Sequence, residues 1–139
     1  SNSVEEATAK KMQEFGTYTG MAFQIKDDLF DYQTRNIIGK PVGIDIKEQK
    51  MTLPLIYTLK NACPENYKKY FATIKRYNND SKKVRELVEF VKSSGGMDYA
   101  IKTMKDYQQK ALDILAEFPD NEAKESLKLM LDYVISRKL

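Results

Sequence analysis

Residues 23–31, Phe23-Gln24-Ile25-Lys26-Asp27-Asp28-Leu29-Phe30-Asp31, set three carboxylates into an otherwise apolar run. Successive residues of an α-helix turn by about 100° around its axis. With Asp27 at zero, Asp31 falls near ~40°, Gln24 near ~60° and Asp28 near ~100°. Four polar groups therefore share one helix face. Gly20 and Gly16 continue that face toward the N-terminus, so it lacks bulk at one end and carries concentrated negative charge at the other. Met21, Ala22, Phe23, Ile25, Leu29 and Phe30 cover most of the remaining circumference. That pattern predicts a helix buried on several sides.

Like charges at these spacings repel and cost helix stability, and buried together they raise each other's pKa. A cation neutralises such a face. Carboxylate oxygens are hard ligands suited to Mg²⁺ or Ca²⁺, and Mg²⁺ takes one or two carboxylates with water and phosphate oxygens completing its octahedron. The competing reading of Asp27, Asp28 and Asp31 is a solvated acidic helix end, against which the apolar flanks weigh. Gly16 and Gly20 read either as close approach of a helix or ligand, or as plain helix packing.

The rest of the chain bounds the class. Its 139 residues suit one domain or part of one, and 42% hydrophobic content permits a core. A net charge of +3 does not argue for nucleic acid. One cysteine, Cys63, allows no intrachain disulfide, and the absence of histidine excludes Ser-His, Cys-His and His-metal chemistry within these residues. No apolar run spans a bilayer and no cleavable signal pattern is present. The expected location is cytoplasmic. Ser1-Asn2-Ser3 reads as an expression remnant, leaving residues 4–139 for the fold.

Helical periodicity runs almost throughout, and no alternating strand pattern stands out. The first helix is expected over about residues 4–32, exposed at its start and buried from Phe15. Residues 33–50 read as a loop, broken by Gly39, Pro41 and Gly43 and carrying Lys40, Asp45, Lys47, Glu48 and Lys50. Lys40 and Lys50 could meet an anion there or be ordinary surface lysines. Thr52 is placed to cap the next helix, with Pro54 in its first turn. Pro64 opens another, whose Tyr67, Tyr70, Phe71, Ile74 and Tyr77 read as a core stripe. The turn at 78–81 leads into a cap and a short amphipathic helix through Val84, Leu87, Val88 and Val91. Gly95-Gly96 precede a long helix over about 97–118. The last helix carries Leu127, Met130, Leu131, Val134 and Ile135 and ends in Arg137-Lys138. The expectation is an all-α array of about six helices.

Two motifs in tandem resemble a known family. Gly16-x-x-x-Gly20-x-Ala22-Phe23-Gln24-Ile25-x-Asp27-Asp28-x-x-Asp31 is similar to the second aspartate-rich region of the trans-isoprenyl (polyprenyl) diphosphate synthases. Gly39-Lys40-Pro41-x-Gly43-x-Asp45-Ile46, continued by Lys50-x-Thr52-Leu53-Pro54, is similar to the segment on the C-terminal side of that region in the same family. Gly95-Gly96, Tyr99-Ala100, Phe118-Pro119-Asp120 and the closing 133–137 segment extend the likeness over most of the chain.

The resemblance implies an all-α isoprenoid-synthase bundle, of which residues 4–139 would be the C-terminal portion. It implies condensation of isopentenyl diphosphate onto an allylic diphosphate held by Mg²⁺ between two aspartate-rich helices. By motif match, Asp27 would be the principal metal ligand, with Asp28 and Asp31 acting directly or through water. Gln24 would touch the substrate near its diphosphate and Phe23 would line the homoallylic side. Lys40 would pair with diphosphate oxygens, Asp45 and Lys50 would belong to the same site, and Arg137 would approach the second diphosphate.

No second D-D-x-x-D occurs in the 139 residues. The expectation is therefore a fragment inactive by itself, exposing apolar surface and forming a homo-oligomer. The alternatives are a regulatory or non-catalytic helical subunit of a two-component synthase, in which the aspartates would be eroded, and a terpene-cyclase-like relative, against which the 40–54 motif argues.

Overall fold

The computed structural model describes residues 3–33 and 43–136. Every element among them is a helix: α1 Ser3–Gln33, α2 Ile44–Lys47, α3 Leu53–Lys60, α4 Pro64–Lys75, α5 Ser81–Ser93, α6 Gly96–Ala116 and α7 Glu122–Ser136. The chain divides into two compact units. Among the described residues, one holds 3–26 and 102–136, the other 27–33 and 43–101. Helices α1 and α6 each contribute to both.

In the first unit α1 is exposed up to Lys10 and buries Phe15, Thr19, Ala22, Ile25 and Lys26. Those positions follow helical spacing and form one face. Tyr18 stacks on Tyr107 of α6 at 6.0 Å, and Lys11 pairs with Glu117 at 2.9 Å. Lys26 is almost wholly buried, and its ammonium donates to the carbonyl of Ile135 near the end of α7 at 2.5 Å. The Asn121 side chain accepts the Lys124 N–H at 2.8 Å, satisfying one of the orphan donors that start α7. On α7, Leu131 and Ile135 are buried, but Met130, expected inside, is exposed. The Val134 side chain lies outside the described residues.

In the second unit α3, α4 and α5 pack on one another around Leu55, Leu59, Ile74, Val84, Leu87, Val88 and Val91. Asp80 caps α5 by accepting the N–H groups of Lys82 and Lys83, as its turn predicts. Gly95 has φ +86°, and Gly96 opens α6 against α3. A Cβ on Gly96 would lie 2.5 Å from Thr58 Oγ1 and 2.7 Å from the Pro54 carbonyl, so only glycine permits this approach.

Several expectations fail for physical reasons. The aromatic stripe of α4 is not all core: Tyr70 and Ile74 are buried, whereas Tyr67, Phe71 and Tyr77 are exposed. Thr52 occupies the N-cap position of α3 but makes no side-chain cap, because its buried hydroxyl faces Tyr32 Oη at 3.4 Å. Gly16 and Gly20 are exposed, and a Cβ on either would meet nothing within 4 Å among the described residues. Part of the expected loop is ordered helix, namely α2.

Candidate functional site

The candidate site begins where α1 ends. Asp27, Asp28 and Asp31 all lie on that helix, within the second unit. Asp27 is exposed, Asp28 is buried at 6% exposure and Asp31 is half-buried. The three carboxylates therefore differ in their access to solvent, although one helix presents them.

Helix α2 comes to Asp31 rather than the reverse. The N-cap position of α2 is Gly43, with φ +80° and no side chain to cap with. Asp31 supplies the missing acceptors: its Oδ1 takes the Ile44 N–H at 2.9 Å and its Oδ2 the Asp45 N–H at 3.3 Å. A carboxylate at a helix N-terminus also meets the favourable end of the helix dipole. Ile46, fully buried, anchors α2 from its other side, and the Asn78 side chain donates to the Lys47 carbonyl at 2.7 Å. A Cβ on Gly43 would stand 2.7 Å from Val84 Cγ1, which fixes how closely α2 approaches α5.

This docking brings Asp45 into the acidic group. Burial raises the Asp31 carboxyl above its usual range, and repulsion from Asp45 adds to that, while the two backbone N–H bonds oppose it. Burial likewise raises Asp45; Lys50 opposes the rise, and Asp28, Glu48 and Asp27 add to it. Asp45 thus feels Asp28 and Asp27, and Asp31 feels Asp45. Lys50 Nζ stands 3.8 Å from Asp28 Oδ1, a loose pair whose lysine is half exposed. Behind this group the Tyr32 hydroxyl is fully buried and its pKa is pushed far up, first by burial and then by Asp31, Asp45 and Asp28, with only Thr52 opposing.

Among the described residues no three acidic side chains close into a ready-made metal cage. The arrangement is an open carboxylate ledge flanked by one lysine. Of the other expected site residues, Phe23 is half-buried and Gln24 exposed one turn earlier on α1, in the first unit. Lys40 and Arg137 lie outside the described residues. The motif placed Asp45 near the site. What it missed is that Asp31 caps α2, because the two segments are thirteen residues apart and α2 is too short to show periodicity.

Comparison with known proteins identifies the class. The polyprenyl synthetase family profile matches residues 1–91. The chain is 31% identical over 140 aligned residues to heptaprenyl diphosphate synthase component 2 of Bacillus subtilis, covering 99% of this chain and 38% of that one. It superposes with a TM-score of 0.84 and 38% identity on geranylgeranyl pyrophosphate synthase from Bacteroides thetaiotaomicron, covering 99% of this chain and 44% of the other. A polyprenyl synthase from Caulobacter crescentus, solved with calcium and isoprenyl diphosphate, matches with a TM-score of 0.79 and 31% identity over 94% of this chain and 40% of its own. The chain belongs to the polyprenyl synthetase family and has the all-α isoprenoid-synthase fold. It spans about two fifths of the length of these relatives. Among the described residues no helix is long and apolar enough to cross a membrane.

Proposed function

We propose that this chain supplies one side of the diphosphate site of a prenyl-transferring enzyme that joins isopentenyl diphosphate to an allylic diphosphate. The observation that carries the reading is the approach of Asp45 and Lys50 to the three α1 carboxylates, which gathers the two sequence motifs into one charged ledge. The relatives' names support the substrate class, and the calcium and isoprenyl diphosphate of the Caulobacter protein support a hard cation beside a diphosphate.

The donor set fits Mg²⁺. The proposed ligands, on Asp27, Asp28 and Asp31, are all carboxylate oxygens, burial and the neighbouring Asp45 raise the Asp31 carboxyl, and Mg²⁺ asks for only one or two such ligands. Asp27, being exposed, is the proposed principal ligand, with Asp28 and Asp31 behind it. When bound, the ion would neutralise charge developing on the departing diphosphate. Lys50 is the proposed cationic contact to phosphate oxygens, joined by Lys40 and Arg137. Gln24 and Phe23 are proposed to meet the substrate near its diphosphate and along its homoallylic side. The buried Tyr32 hydroxyl stays protonated and holds the ledge in place through Thr52.

Alone, the 139-residue chain is proposed to be inactive, since its sequence carries only the second of the two aspartate-rich regions implied by the family and not the first. Self-association is proposed from the exposed Met12, Met21, Leu129, Met130 and Tyr133, and light scattering reads it directly.

Calorimetric titration tests the site. Mg²⁺ and pyrophosphate together should bind more tightly than either alone, and Asp27→Asn should weaken the joint binding about tenfold, roughly one lost charged contact. Pyrophosphate binding indifferent to Mg²⁺, or untouched by Asp27→Asn, would overturn the assignment. Turnover of radiolabelled isopentenyl diphosphate by the chain alone would overturn its inactivity.

A further inference from the structure

The positive charge of this chain is concentrated in one place. Residues 66–85 carry seven cations, Lys68, Lys69, Lys75, Arg76, Lys82, Lys83 and Arg85, against the single carboxylate of Asp80. That segment is +6 in a chain of net +3, so the other residues sum to −3. Exposed aromatic rings stand among these cations: Tyr67 at 44% exposure, Phe71 at 36% and Tyr77 at 42%.

The outward face of α4, with Arg76 just past its end, carries three of these cations and two of the rings. Tyr70, Thr73 and Ile74 turn inward, which leaves Lys68, Phe71, Lys75 and Arg76 on the opposite side with Tyr67 at its edge. Among the described residues no carboxylate stands within ion-pair distance of Lys68, Lys75 or Arg76, whereas Lys69, at the edge toward α5, pairs with Glu86 at 3.7 Å. Tyr67 and Phe71 stack on each other, with ring centroids 5.5 Å apart and planes 11° apart, and the Lys75 ammonium lies 5.7 Å from the Phe71 centroid. A shallow, mainly apolar depression of about 530 Å³ runs between these side chains.

We propose that this face of α4 is a peripheral docking surface for an anionic lipid bilayer. The chemistry matches at each level. Lysine and arginine near an anionic leaflet each contribute attraction, and long basic stems let the head groups reach phosphates while the chains lie on apolar surface. Tyrosine and phenylalanine suit the boundary between head groups and acyl chains. Charge complementarity and the exposed Tyr67 and Phe71 rings together select this occupant over an acidic protein, because cations interleaved with aromatic rings match an anionic head-group layer above acyl chains. The Gln49 side chain, next to Lys50, donates to the Lys75 carbonyl at 3.4 Å, so the end of α4 adjoins the segment that carries the ledge lysine. The α4 variants below remove no ledge side chain, and joint binding of Mg²⁺ and pyrophosphate by the same variants separates the two proposals.

Vesicle co-sedimentation of the full chain tests it. Vesicles of phosphatidylcholine with phosphatidylserine should bind the chain, phosphatidylcholine alone should not, and raised salt should release it. Lys68→Gln, Lys75→Gln and Arg76→Gln should each weaken binding about fivefold, and together about a hundredfold. Phe71→Ser should weaken it roughly tenfold. Lys105→Glu, an exposed position on α6, should leave binding within the fivefold expected of one cation, and circular dichroism should show every variant as helical as the parent. Equal binding to neutral vesicles, or binding to anionic vesicles unmoved by the α4 variants, would overturn the proposal. So would the absence of vesicle binding with capture of a single-stranded oligonucleotide that the α4 variants abolish.

Discussion

Gly96→Ala tests the tightest packing in the structure. The added methyl would lie 2.5 Å from Thr58 Oγ1, 2.7 Å from the Pro54 carbonyl oxygen and 3.2 Å from Val91 Cγ1. Thr58 cannot simply swing away, because its hydroxyl donates to the same Pro54 carbonyl at 2.8 Å and its side chain is buried. The carbonyl is backbone at the start of α3 and can move only with the helix. Overpacking of this kind costs about 1–3 kcal/mol. Alanine recovers up to about 1 kcal/mol of helix propensity, less at the first residue of α6 than in an interior. The expected net loss is therefore about 1–2 kcal/mol, read as a lower urea midpoint with the slope unchanged. Thr58→Ala in the same chain should recover only part of the loss, because the Pro54 oxygen remains in the way. Gly16→Ala and Gly20→Ala provide the opposite sign: both sites are open and within α1, so each should stabilise by about 0.5–1 kcal/mol. A neutral or stabilising Gly96→Ala would refute the packing argument, since propensity would then have outweighed contact.

Two further predictions concern α1. Folding raises the carboxyl pKa of both Asp31 and Asp45, so the folded state holds these protons more tightly; their contribution is most favourable below 3.8 and is lost as pH rises through the raised values. Relative to the parent, Asp31→Asn/Asp45→Asn should therefore gain stability as pH rises from 3.8 to neutral without metal, by less than about 1 kcal/mol because both groups are part-exposed and screened, on top of a pH-independent loss for the cap oxygen that asparagine lacks. A variant that instead loses ground to the parent as pH rises, measured by urea unfolding across pH, would show the sign to be wrong. Lys26→Met should destabilise the chain by about 1.5–3 kcal/mol by leaving the Ile135 carbonyl without its charged donor, and hydrogen exchange should rise first in the last turn of α7. Unchanged protection there would mean that the contact does not hold α7.

How much of this was legible in the sequence depends on how far the cause lies from the effect. Pro64 and Asp80 mark helix starts through local chemistry, and the structure has helices starting beside each. The acidic face of α1 follows from spacing alone. Tyr67 and Tyr70 are three residues apart, so each begins its own i, i+4 stripe, with Phe71 and Ile74 respectively, about 60° from the other. Both stripes look apolar in sequence, and only the placement of α3 and α5 decides that Tyr70 and Ile74 go inside. The same limit applies to Thr52, whose hydroxyl is drawn to a tyrosine twenty residues earlier. In sequence, close approach is expected at Gly16 and Gly20, while Gly43 reads as a loop break and Gly96 as the lead into a helix. The two in α1 stand open, while Gly43 and Gly96 are the ones pressed against neighbours.

Asp31 explains why an acidic helix and an ordered segment arrive together. The residue that should cap α2 is a glycine, required by its positive φ and by Val84 at its back, so the cap has to come from elsewhere. Asp31 provides it with both carboxylate oxygens, and in doing so holds Asp45 close despite their mutual repulsion. Each of those oxygens has more than one lone pair, so accepting an N–H leaves acceptor capacity for a cation. The cap and the proposed metal contact therefore draw on the same side chain without competing for the same lone pairs. Repulsion between Asp31 and Asp45 is then a cost met by two backbone hydrogen bonds, and the proposed cation would remove it. A neutral residue at position 31 could keep the geometry of α2 only by keeping an acceptor there, and it would give up the charge that makes the ledge worth binding.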